Sequence, residues 1–107
     1  MMYYTGWGKE YKLSFKRQEY AVDNSLAIQV YCEDEEGFIE PFCTLTKHLG
    51  VTPSKPNVAY IDCNNTPMEI RDNLIDEGVM AYTGNAMRSG YCTYLEAEFS
   101  TEWLESL

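Results

Sequence analysis

Apolar residues recur at every second position over three long stretches of this chain, the period of a half-buried strand and not of a helix. Tyr11, Leu13 and Phe15 alternate with Lys12, Ser14 and Lys16, which predicts a strand over about 10–16 with one wet face. Leu26, Ile28, Val30 and Cys32 alternate with Ala27, Gln29 and Tyr31, a second strand supported by β-branched and aromatic content. Turn chemistry at Ala21-Val22-Asp23-Asn24-Ser25 separates the two. Late in the chain Tyr91, Thr93, Leu95, Ala97 and Phe99 alternate with Cys92, Tyr94, Glu96 and Glu98, which predicts a long last strand.

The remaining segments fit around that frame. Glu33-Asp34-Glu35-Glu36-Gly37 is a four-acid loop closed by glycine, and a strand pattern resumes over 38–46, so the pair reads as a hairpin. Pro41 cannot donate a ladder hydrogen bond and points to an edge strand or a bulge there. After a proline-containing loop over 50–56, Val58 to Cys63 predicts a short fourth strand. Thr66, Pro67 and Glu69 have the T-x-x-E spacing of a capping box with proline at the first helical position, so a helix over about 67–77 is expected. Ile70, Leu74 and Ile75 form its apolar side, and Gly78 is placed to end it in the left-handed conformation. Residues 79–90 show two turn-like breaks, at 82–85 and 88–90, and no assignable element. The tail over 101–107 can form one helical turn that packs Trp103 and Leu104. The expected fold class is α+β, a mainly antiparallel sheet of about five strands with one main helix on a face, in a single domain over residues 1–107.

A chain of 107 residues that is 45% hydrophobic and 14% aromatic can bury a core, so a disordered acidic tail is excluded. Its net charge of −9 argues against gripping nucleic acid or an anionic membrane directly, because Lys and Arg carry most of such affinity. No apolar run suits a secretory leader or a membrane span, so a cytoplasmic protein is expected. Cys32, Cys43, Cys63 and Cys92 have no close pairs and are expected as free, mostly buried thiols. Their separations of 11, 20 and 29 residues do not match the C-x₂₋₄-C knuckles of structural zinc sites.

Candidate chemistry is sparse. His48 is the single histidine, so any Cys–His nucleophilic pair must use it, and the local pattern does not demand one. Asp62 lies at the approach to the expected helix, where amides favour anions, but a turn-forming role suits that junction better. No phosphate loop, dinucleotide fingerprint, zinc-protease or nucleophile-elbow motif occurs, so no enzyme activity, catalytic residue, cofactor or metal is expected. Charge is more informative: residues 1–22 carry a net +2 and the rest −11. Asp34, Glu35 and Glu36 share one loop, and Glu96 and Glu98 share one strand face about 6.6–6.8 Å apart, on the scale of neighbouring phosphates. Tyrosine is enriched at interfaces, and Tyr94 lies on the same face as those two acids. These six residues are the candidate contacts for a protein partner with a basic nucleic-acid-binding groove.

Tyr11-Lys12-Leu13, 26–31, 41–46, Tyr60-Ile61-Asp62-Cys63-Asn64-Asn65 and 89–94 together resemble a family of small uncharacterised bacterial proteins of about this length, over roughly residues 9–99. The resemblance implies accessory proteins of gut bacteria, often on mobile elements, with no catalytic residues to carry over. By analogy with other small acidic proteins of such elements, the expected function is a non-enzymatic inhibitor of a host restriction or CRISPR-type nuclease. The alternative is a small ligand- or metal-binding module built on the Asp62–Asn65 junction and Cys92.

Overall fold

A computed structural model describes residues 2–6 and 8–107. The first sheet is an antiparallel meander, β1 (Met2–Gly6), β2 (Lys9–Glu19), β3 (Leu26–Glu33) and β4 (Ile39–Thr44), in that spatial order. The second contains β5 (Thr46–Lys47), β6 (Val58–Ile61), β7 (Met80–Ser89) and β8 (Cys92–Phe99), in the order β5-β6-β8-β7 and again antiparallel throughout. Helix α1 (Met68–Asp76) connects β6 to β7, and α2 (Thr101–Glu105) follows β8.

The chain passes from one sheet to the other at Leu45. Its N–H donates to Ile28 O on β3 (2.9 Å), and its carbonyl accepts from the Asp62 amide just past β6 (2.8 Å). One fully buried residue thus holds the sheet corner by its backbone while its side chain enters the core. That core draws Leu13, Ile28 and Val30 from the first sheet, Ile61, Ala97 and Phe99 from the second, Ile70 and Leu74 from α1, and Leu104 from α2. Trp103 stacks on Phe99 and meets Phe15 edge-on, tying α2 to both sheets.

Two four-stranded sheets replace the expected single sheet of about five strands, and two short helices replace one. β1 is additional, and β7 occupies the stretch that carried only turn-like signals. Those signals mark real irregularities inside the strand. Tyr82 pairs with Ala97 and Ala86 with Leu95, so Thr83, Gly84 and Asn85 bulge opposite Glu96 alone, with Gly84 at φ +93°. Arg88-Ser89-Gly90 runs into the β7–β8 turn. The expected third strand divides at Leu45 into β4 and β5, and Pro41 lies on an edge strand beside a bulge at Phe42.

Helix α1 starts one residue later than expected, and its cap differs. Pro67, at φ −54° and ψ 141°, is the capping residue itself, and no side chain caps the helix. The buried Thr66 hydroxyl instead donates to Thr44 O across the sheet corner (3.5 Å). Gly78 ends the helix at φ +74°, as the sequence predicts. Ser100 caps α2 by accepting the Trp103 N–H (3.3 Å).

Candidate functional site

The acidic loop is an ordered turn between β3 and β4. Asp34 Oδ1 accepts the amides of Glu36 (2.9 Å) and Phe38 (3.0 Å), and Asp34 N–H donates to Phe38 O (3.0 Å). Gly37, at φ +88°, supplies the left-handed residue that closes it. Asp34 is therefore committed to the turn, whereas Glu35 and Glu36 point into solvent. Phe38 and Ile39 follow directly, each 63% exposed, so the tip joins carboxylates to uncovered apolar surface. With Lys9, Glu10 and Tyr11 the three acids line a cleft of about 170 Å³.

Glu96, Glu98 and Tyr94 share one face of β8, and the two acids line a cleft separate from the acidic turn. Only Glu98 is exposed. Tyr94 is 6% exposed, with Lys47 Nζ 5.7 Å from its ring centroid, which corrects its place among the candidate partner contacts. Glu96 is 8% exposed, and its Oε1 accepts from Thr83 Oγ1 (2.8 Å) and Asn85 Nδ2 (3.2 Å). The β7 bulge re-aims both donors onto this carboxylate, so Glu96 is an internal fastening and not an exposed charge. Burial, and secondarily the Glu96 carboxylate, push the neighbouring Tyr60 phenol above its usual value. The cleft above Glu96 measures about 230 Å³ and has Ser54, Lys55 and Glu98 on its rim.

Sequence reasoning missed a polar cluster between the β2–β3 turn and the loop after β5. Asp23 Oδ2 accepts from His48 Nε2 (2.9 Å) and Thr52 Oγ1 (2.7 Å), and its Oδ1 accepts the Ser25 amide (3.0 Å). The Gly50 N–H donates to His48 Nδ1 (3.1 Å), which places the ring proton on Nε2. Both nitrogens are thereby engaged, and the ring is aimed at Asp23 and not at a thiol. The His48 hydrogen bond first, then those from Ser25 and Thr52, hold the Asp23 carboxyl well below the usual carboxylate range. The signal available in the sequence was only a lone histidine 25 residues from an aspartate in a turn.

Asp62 takes the turn-forming role. Its Oδ2 accepts from Asn65 Nδ2 (2.9 Å), its carbonyl accepts the Thr66 amide (3.0 Å), and its buried Oδ1 has no partner. All four cysteines are free and half-buried, less covered than expected. Burial pushes the Cys32 and Cys43 thiols up, with smaller contributions from Glu40 and Asp62 respectively, so neither is activated as a thiolate. Among the described residues no group of three or more His, Cys, Asp or Glu is placed to hold a metal ion. Neither Asp62 nor Cys92 lines the clefts described above.

The fold defines a small, mostly antiparallel two-sheet domain with two short helices, in a chain of net charge −9. Residues 14–107 match the family described as Domain of unknown function (DUF4313), and the chain belongs to that family. No curated protein and no solved structure matches it.

Proposed function

We propose that this chain is a non-enzymatic binding protein that offers its acidic β3–β4 turn to the basic surface of a nucleic-acid-handling protein and thereby excludes nucleic acid. The observation that carries the reading is the joint exposure of Glu35, Glu36, Phe38 and Ile39 on a turn pinned by Asp34. Interfaces combine apolar contact at the centre with charged groups that steer and orient, and a pre-ordered turn loses little entropy on docking. Glu98 remains available as a further acidic contact; Tyr94 and Glu96 are withdrawn because both are buried. In its narrower form the proposal makes the chain an inhibitor, encoded on a mobile element, of a bacterial defence nuclease.

The test is capture from a bacterial lysate with two baits, the wild-type chain and Glu35→Lys/Glu36→Lys, followed by DNA-binding assays on any protein held by the first alone. The proposal requires that such a protein bind DNA, lose that binding when the wild-type chain is added, and retain it with the charge-reversed variant. Identical capture by the two baits, or a partner that binds the chain and DNA together, overturns it.

A further inference from the structure

The two sheets leave four edges, none of them a long uninterrupted strand. β5 has two residues, β1 has five, and β4 has six with Pro41 and the Phe42 bulge among them. β7 is the fourth, ten residues long without proline or lysine, and no strand pairs with its outer side among the described residues. Its bulge over 83–85 divides that edge, leaving Met80–Tyr82 as one regular segment and Ala86–Ser89 as another. A cleft of about 390 Å³, the largest of those described, runs along Met80–Thr83, with exposed Ala81 and Tyr82 in its lining and Glu98 as its one charged residue.

We propose that the Met80–Tyr82 edge accepts an extended basic segment of a partner protein by strand addition, with a Lys or Arg paired to Glu98. Ala81 is the register partner of Glu98, so the two side chains are neighbours on the same face. An incoming strand would lie about 4.8 Å beyond β7, which puts its residue opposite Ala81 about 10 Å from the Glu98 Cα. The methyl group of Ala81 leaves the space between them open, and an extended cationic side chain meeting a glutamate spans that separation. Glu98 has no Lys or Arg within ion-pair distance among the described residues, its one polar contact being Asn57 Nδ2 at 3.5 Å. On the opposite face Tyr82 and Leu95 are exposed and would receive the apolar side chains that alternate with the basic ones. A second copy of this chain fits less well, because each copy carries a net −9 and would bring acidic surface against acidic surface.

This inference rests on the reading of the chain as an acidic binding protein but uses a surface distinct from the β3–β4 turn, so the two can fail separately. The probe is a capped peptide of about eight residues alternating Lys and Val, with a Glu–Val peptide as control, titrated while backbone amide shifts are followed by NMR. Shifts centred on Met80–Tyr82 are expected, with affinity lowered about threefold by Glu98→Gln, more strongly by Ala81→Arg, and with the shifts still centred on that segment in Glu35→Lys/Glu36→Lys. Absence of peptide binding, equal binding of the Glu–Val control, or shifts centred on 34–39 with no response to Glu98→Gln and Ala81→Arg each overturns the proposal. Loss of binding in Glu35→Lys/Glu36→Lys alone also overturns it, by moving the basic contact to the turn.

Discussion

Side chains of one chemical type take opposite roles here according to what surrounds them. Glu35 and Glu36 are exposed at the edge of the cleft they form with Lys9, Glu10 and Tyr11, whereas Glu96 is buried against Thr83 and Asn85 and fastens a bulge. Asp23 is the most strongly perturbed acid, because three donors from two loops converge on it. A carboxyl whose pKa is lower in the folded than in the unfolded chain stabilises the fold while it is ionised. That contribution is complete well above the ordinary value of 3.8 and is lost as pH falls through and below it toward the lowered folded value. Asp23→Asn is therefore expected to lower the urea midpoint at neutral pH, with the gap to the wild type closing as the solution is acidified below that ordinary value. A gap that stays constant from neutral pH down into that range would show that the hydrogen bonds to Asp23 are not its source of stability.

Elements were legible where one strand or turn carried its own pattern. β2, β3 and β8 announced themselves by alternation, and the acidic turn by its run of acids and a closing glycine, so half of the candidate site was visible locally. β7 was hidden because its bulge needs glycine and short polar residues, which read in sequence as the end of a strand. The buried state of Tyr94 and Glu96 was hidden for a related reason: their covers come from β5 and from that bulge, contacts that exist only after pairing. Thr66 shows tertiary structure overriding a local motif, since its hydroxyl serves the sheet corner and not the helix. The corner itself makes a sharp prediction. Leu45→Ala should cost about 2–5 kcal/mol in chemical denaturation, as other deletions of fully buried leucine do, because neither sheet can collapse into the void without losing the two backbone bonds that Leu45 makes. A loss under about 1 kcal/mol would mean that the corner is held by its backbone bonds alone.

At the scale of the whole molecule the charge is unevenly divided and scarcely neutralised by contact. Four of the eight basic residues, Lys9, Lys12, Lys16 and Arg17, lie on β2, while most of the acids are spread over the β3–β4 turn, α1, β8 and the C-terminal end. Among the described residues no Lys or Arg lies within ion-pair distance of an acid, and His48 meets Asp23 by a hydrogen bond, so the excess acids repel one another through solvent. Salt must then act with opposite signs on folding and on binding. Raising ionic strength from about 0.01 M to about 0.1 M shortens the screening length from about 30 Å to about 10 Å, which relieves repulsion across a molecule with a longest extent of 40 Å. The same screening weakens attraction to a basic partner or to the Lys–Val peptide. The urea midpoint should therefore rise over that range of sodium chloride while the affinity for the peptide falls, measured on the same preparation. A midpoint that falls with salt would show that the attraction between β2 and the acids around it outweighs the repulsion among the acids, and an affinity indifferent to salt would exclude charge as what brings a partner to this surface.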